Sequence, residues 1–307
     1  MIVYREISSV EADLGFSAKT LYKLSNQIEK HYRRKAIPKR DGSFRSLCMP
    51  SELLKAVQRR IADKILALEP VSRYATAYKS GATPARNAML HVGKDKLLKL
   101  DIYHFFDSIL YSEVKDKAFP ANRFSEQIRV LLTMLCYYKD ALPQGAPTSP
   151  IITNIIMYDF DESVGAWCKG RGITYTRYCD DMTFSGSFDE AEVKEFVREE
   201  LKAHGFLLNS KKTQVVTSAK RQLVTGIVVN QKANIPATYR RELRQELYFV
   251  QKYGIEQHLE RISCIKMPLE YLQGLLGRVS FLLSVRPDDS YFVSAKHFLI
   301  EEIKRYQ

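Results

Sequence analysis

The chain has 307 residues, 45% of them hydrophobic and 27% charged, enough for a sizeable core and for two linked subdomains. Lysine and arginine number 47 against 35 acidic residues, and the net charge of +12 points to a polyanionic partner, nucleic acid or an anionic membrane. No apolar run approaches the ~20 residues that span a bilayer, and the N-terminus lacks a signal-peptide pattern, so nucleic acid in the cytoplasm is the expected setting and no membrane partner is expected.

Residues 8–31 read as helical, with Leu14, Leu21, Leu24 and Ile28 at near-helical spacing. A basic stretch follows, carrying Lys30, Arg33, Arg34, Lys35, Lys39, Arg40 and Arg45, with an Asp41-Gly42 turn signal inside it. It reads as a β-ribbon, either a solvated charged hairpin or one that closes over phosphates. Residues 51–68 predict a helix capped by Ser51, with Leu53, Leu54, Val57, Ile61, Ile65 and Leu68 as its apolar stripe. Residues 70–95 are broken by Pro, Gly and polar residues and contain Asn87-Ala88-Met89-Leu90-His91. His91 taken alone reads as a structural histidine.

Residues 97–103 read as a buried strand ending in an acid, Asp101, with Phe105-Phe106-Asp107 after it. Residues 125–138 predict a helix with Ile128, Leu131, Leu132 and Leu135 inward. In Leu142-Pro143-Gln144-Gly145-Ala146-Pro147-Thr148-Ser149-Pro150, Ser149 is the expected N-cap and Pro150 the first helical residue. That loop is either an ordinary junction or a set of amides offered to an anion.

Residues 172–185 alternate in polarity on both sides of Tyr178-Cys179-Asp180-Asp181, which predicts a hairpin with the tetrad at its tight turn. Alone, an Asp-Asp turn reads as solvated. Adjacent carboxylates repel unless a cation lies between them, and a hard divalent metal suits their oxygens. Asp189 and Glu192 resemble a capping box for a helix to about residue 203, with Val193, Phe196, Val197 and Leu201 inward and Gly205 at its stop. Residues 206–217 and 222–229 look strand-like. From Pro236 onward helical spacing returns amid scattered arginines and lysines, so a basic helical subdomain is expected at 236–307. The five cysteines are odd in number, far apart and without a C-x-x-C pair, which argues against a disulfide framework or zinc site.

If the Asp101 strand neighbours the hairpin, Asp101, Asp180 and Asp181 converge at one sheet edge, as a two-metal phosphoryl-transfer site requires. Four segments in order resemble the motifs of reverse transcriptases. They are Leu100-Asp101-Ile102 through Phe106, Pro143-Gln144-Gly145, Tyr178-Cys179-Asp180-Asp181, and Asn209-Ser210-Lys211-Lys212-Thr213. Asn87-Ala88-Met89-Leu90-His91 and Val224-Thr225-Gly226 resemble, in particular, signatures of bacterial retron reverse transcriptases. Cys179 departs from the alanine usual in the tetrad.

The resemblance implies an α+β right-hand polymerase, with fingers and palm over 1–235 and a helical thumb over 236–307. It implies two magnesium ions on Asp101, Asp180 and Asp181, with the Ile102 carbonyl as a further ligand. Phe106 would be the aromatic gate against a 2′-hydroxyl, and Gln144 a contact to the incoming deoxynucleoside triphosphate. Arg45 with Lys39 or Arg40 would grip the triphosphate, and Lys211 or Lys212 would stand by the departing pyrophosphate. Asn87, Ala88, His91, Val224, Thr225 and Gly226 are implied to help recognise RNA. The implied reaction copies part of a cognate structured non-coding RNA into branched single-stranded DNA, in antiphage defence with a separate effector protein. Reverse transcriptases of group II intron, diversity-generating or abortive-infection type are the alternatives within the enzyme class. A non-catalytic RNA scaffold lies outside it, and a metal nuclease, which also uses clustered acids, is a third possibility.

Overall fold

The computed structural model describes residues 3–38, Gly42 and 44–307, the Arg45 side chain excepted. The chain forms two compact units, one of residues 1–82 and 98–215, the other of residues 83–97 and 216–307. The boundary expected at 236 therefore falls inside the second unit, which also takes in the Asn87–His91 segment.

The first unit opens with two helices, Ile7–Leu14 and Ala18–Asn26, and a 3-10 turn at Ile28–His31. The single helix expected over 8–31 is broken because Gly15 takes a left-handed φ of 73° and ends the first segment, while the Ser17 hydroxyl caps the second. Strands β1 (Tyr32–Pro38) and β2 (Phe44–Pro50) pair antiparallel from Tyr32↔Pro50 to Pro38↔Phe44. Arg33, Arg34 and Lys35 are exposed along β1, so the basic ribbon exists as a ribbon. The Lys39, Arg40 and Asp41 positions lie outside the described residues, as does the side chain of Arg45.

Ser51 caps the Glu52–Lys64 helix as expected, but only Leu54, Val57, Ile61 and Ile65 of its stripe are buried. Leu53 and Leu68 are exposed, because Leu53 falls off the 3.6-residue stripe and Leu68 lies beyond the helix in a 3-10 turn. Strand β3 (Lys96–Tyr103) enters the core with Leu98, Leu100 and Ile102. The Glu126–Cys136 helix buries Ile128, Leu131, Leu132 and Leu135. The Ser149–Ile156 helix starts one residue earlier than expected: Thr148 is its N-cap, and the Ser149 hydroxyl donates instead to the Pro143 carbonyl at 2.7 Å. The Tyr158–Lys169 helix follows.

Strands β4 (Thr174–Tyr178) and β5 (Asp181–Gly186) form the expected hairpin, closing at Tyr178↔Asp181. Along the sheet the order is β4–β5–β3–β6, where β6 is Leu207–Leu208 and pairs antiparallel with β3. The Glu190–Ala203 helix buries Val193, Val197 and Leu201, while Phe196 stacks on Trp167. Asp189 caps it through the Ala191 amide, but no capping box forms, because Glu192 turns to Arg171 at 3.1 Å. The strand expected over 206–217 is interrupted by a 3-10 turn at Ser210–Lys212 before β7 (Gln214–Thr217).

In the second unit the 222–229 segment is a hairpin rather than one strand. Strands β8 (Leu223–Val224) and β9 (Ile227–Val228) flank Thr225 and Gly226, both at positive φ, 47° and 82°. Four helices follow, Ala237–Tyr253, Ile255–Arg261, Pro268–Val285 and Ser290–Arg305. Leu243, Leu247, Leu272, Leu275, Val279 and Phe292 form their common core. The periodicity from Pro236 onward is thus a genuine apolar seam.

Candidate active site

A hairpin turn closed by only two residues demands unusual backbone angles. Here Cys179 supplies one, with a left-handed φ of 62° that costs a non-glycine residue roughly 1–2 kcal/mol. The turn survives because its carbonyls are held from both sides. The Arg177 guanidinium donates from Nη1 to the Cys179 carbonyl at 3.0 Å, and the Ile102 amide donates to the Asp180 carbonyl at 3.2 Å. That second bond stitches β3 to the turn and brings Asp101 to the edge that carries Asp180 and Asp181.

Asp101 is nearly fully buried, and both of its oxygens are engaged. Oδ1 accepts from Asn209 Nδ2 at 2.9 Å and Oδ2 from Lys212 Nζ at 2.8 Å. The Asn209 amide also donates to the Asp101 carbonyl at 2.8 Å, which fixes the 3-10 turn bearing Lys212 against β3. Burial works against the charge on Lys212, but Asp101, then Asp180 and Asp181, outweigh it and raise its pKa. Asp181 is pushed up to about 6, first by desolvation and then by the charges of Asp180 and Asp101, with Lys99 and Lys212 offsetting part of the shift. Lys99 is itself lowered by burial, with Asp181 opposing.

Asp101, Asp180, Asp181, Asn209 and Lys212 line a cleft of about 760 Å³ together with Phe106, Gln144, Gly145, Tyr78 and Tyr178. Phe106 is half-buried against Phe105, and its carbonyl accepts from the Leu142 amide at 3.2 Å, which ties it to the Gln144 loop. The Gln144 carbonyl in turn accepts from the Cys48 amide of β2 at 2.8 Å. Asp101, Ile102, Asp180, Asp181, Phe106, Gln144 and Lys212 thus stand around one cleft. Lys211 does not line it; the 3-10 turn directs Lys212 to Asp101. The Lys39 and Arg40 positions and the Arg45 side chain lie outside the described residues.

The segments expected to recognise RNA come together elsewhere, in the second unit. The Pro84–Met89 helix packs on the β8–β9 hairpin, and the Thr225 hydroxyl donates to the Pro84 carbonyl at 2.8 Å. Asn87, Ala88, His91 and Val224 are buried there. Their side chains shape this substructure, while Thr225 and Gly226 reach its surface at the hairpin turn.

Among the described residues no three acidic, cysteine or histidine side chains form a ready-made chelate. Asp101 instead has a lysine and an asparagine on its oxygens. The donor chemistry nonetheless fits hard divalent cations. Three carboxylates meet at one edge, and burial first, then the charges of Asp180 and Asp101, raise Asp181, a strain that an added cation relieves. Sequence reasoning missed Arg177, Asp161, Asn154 and Tyr78 as parts of the site. The signal for Arg177 was its place directly before the tetrad, but a charged residue in a strand gives no sign that it is fully buried.

A carboxylate edge, an aromatic and a glutamine stand around one cleft, and β2 of the basic ribbon is bonded to its Gln144 loop. The profile described as "Reverse transcriptase (RNA-dependent DNA polymerase)" matches residues 37–245. The chain is 32% identical over 306 residues to the retron Mx65 reverse transcriptase of Myxococcus xanthus, covering 91% of this chain and 69% of that protein. It is 30% identical over 275 residues to the retron Ec86 reverse transcriptase of Escherichia coli, covering 88% and 81%. With the retron Mx162 reverse transcriptase of Myxococcus xanthus it shares 33% identity over 285 residues, and there the chain spans 59% of the relative's length. Among solved structures, apo telomerase from Candida tropicalis aligns over 94% of this chain and 63% of its own, with a TM-score of 0.48 and 13% identity, too slight a likeness to carry an argument. The chain belongs to the reverse transcriptase family of RNA-directed DNA polymerases, and within it to the bacterial retron branch. Its mixed helices and antiparallel hairpins are those of the right-hand polymerase fold.

Proposed function

We propose that this chain copies part of a cognate structured non-coding RNA into DNA, giving a branched RNA–DNA molecule. The observation that carries the reading is the Ile102–Asp180 backbone bond, which sets Asp101 beside the Tyr178–Asp181 turn. Asp101, Asp180, Asp181 and the Ile102 carbonyl would hold two magnesium ions. When bound, such ions would supply activation of an attacking hydroxyl and charge stabilisation for the departing pyrophosphate.

The protein's own residues do the rest. Lys212 carries its proton at neutral pH and presents it where pyrophosphate leaves. Phe106 walls the cleft at the height of the sugar and disfavours a 2′-hydroxyl, while Gln144 contacts the nucleotide. Arg45, with Lys39 or Arg40, grips the triphosphate from the ribbon. Fingers and palm are assigned to 1–235 and the thumb to 236–307, the point where the long helices begin. The Asn87–His91 and Val224–Gly226 substructure supports recognition of the cognate RNA. The cellular role in this reading is cytoplasmic antiphage defence with a separate effector protein. Among the described residues no helix is long and apolar enough to cross a membrane.

Primer extension on an RNA template with deoxynucleotides and magnesium tests the reading. Incorporation that stops with Asp180→Asn, at unchanged RNA affinity, is the expected result. No incorporation by the unaltered protein, across templates that include its cognate RNA, overturns it.

A further inference from the structure

Beneath the turn lies a buried polar network that the chemistry above does not use. Arg177 and Asp161 are both fully buried. The guanidinium meets the carboxylate in a two-pronged contact, Nε to Oδ1 at 2.8 Å and Nη2 to Oδ2 at 2.6 Å. Nη2 also reaches Asn154 Oδ1 at 3.2 Å, and Nη1 donates to the Cys179 carbonyl at 3.0 Å. Tyr175 Oη completes Asp161 at 2.9 Å, and Asn154 Nδ2 donates to the Ala77 carbonyl at 2.8 Å. The Arg177 backbone is held as well: its amide donates to the Tyr74 carbonyl, and its carbonyl accepts from the Thr76 amide, both at 2.8 Å.

A buried ion pair is weak evidence for stability, since replacing it with apolar residues is often neutral. Its geometry is more telling. The Cys179 carbonyl precedes the Asp180 α-carbon and the Asp180 carbonyl follows it. Arg177 holds the first, and the Ile102 amide, on the strand of Asp101, holds the second. Fixing both peptide planes fixes the direction in which the Asp180 side chain leaves the backbone, at a turn whose left-handed Cys179 would otherwise tend to relax.

We infer that Arg177 is a positioning residue, which with Asp161 and Asn154 aims the Asp180 carboxylate toward Asp101 across the cleft. The inference rests on the polymerase reading and adds a specific part to it. Arginine is needed because a planar fork serves the carboxylate, the amide and the carbonyl at once, whereas a lysine ammonium is a single point on a flexible stem.

The test compares Arg177→Lys and Tyr175→Phe with the unaltered protein on a primed RNA template. Thermal melting, RNA affinity, and single-turnover incorporation against deoxynucleotide concentration are measured for each. Arg177→Lys is expected to lower the maximal incorporation rate about 100-fold, because misplacement of a reacting group by about 1 Å costs on that order. Its apparent nucleotide affinity and RNA affinity stay within about threefold, so the loss falls on rate and not on binding. Tyr175→Phe removes a bond to Asp161 without touching the turn; it lowers the melting temperature and leaves the rate within about twofold. If Arg177→Lys does not accumulate as folded protein, Asn154→Ser carries the test. It spares the ion pair and is expected to slow incorporation about fivefold at unchanged RNA affinity. An unaltered rate in the folded variant, or an equal loss in Tyr175→Phe, overturns the assignment. An unaltered protein that incorporates nothing overturns the polymerase reading itself.

Discussion

Lys212 donates to Asp101 at 2.8 Å, so a cation already rests on the carboxylate proposed above as a metal ligand. On that proposal the ammonium and a divalent cation are alternatives for the same oxygen, and the long, exposed lysine stem can move where the buried aspartate cannot.

Lys212→Ala removes that competitor. The expected outcome is a lower midpoint for magnesium or manganese in a thermal-shift titration. The incorporation rate falls about 10- to 100-fold at saturating metal, because the proton and charge near the leaving group are lost. A midpoint that stays put means that the ammonium and the metal do not share Asp101.

Asp181 links the site to pH. Its folded pKa, about 6, lies above the ordinary 3.8, so between these values the folded state binds more protons than the unfolded one. Metal-free stability therefore falls as pH rises from about 4 to 6, and above that range the ionised carboxylate is a standing cost. Asp181→Asn is expected to raise the metal-free melting temperature at pH 8 by a few degrees, with the gain vanishing at pH 4. Calorimetry across that range checks it; a gain that is constant with pH rules out the charge as its origin.

Gly145 is where β2 meets the Gln144 loop. A side-chain carbon there would come within 2.6 Å of the Cys48 carbonyl oxygen, at a φ of 122° that favours glycine. Gly145→Ala should destabilise the protein by about 1–3 kcal/mol and weaken nucleotide affinity by displacing Gln144. Denaturant unfolding and the concentration dependence of incorporation read the two effects separately. Unchanged values for both would mean that the loop yields without consequence.

The hairpin at Tyr178–Asp181, the strand of Asp101, and the helices from Pro236 were legible in the residues, because alternation and helical spacing are local signals. So was the family, through four short motifs in order. The errors cluster where a single residue diverts the chain: Gly15 breaks a helix, Thr225 and Gly226 fold one strand back into two, and Glu192 leaves a capping box for Arg171.

By itself the sequence determined the family, since its short motifs stand in order along the chain, each with its own local geometry. Only the tertiary structure decided which of two neighbouring lysines meets Asp101, and that Asn87 and His91 are buried. It alone decided that Arg177, a charge in a strand, lies beneath the Tyr178–Asp181 turn with Asp161. Those outcomes depend on contacts between residues far apart in the chain, and whether a polar side chain is buried depends on whether distant partners arrive to satisfy its hydrogen bonds.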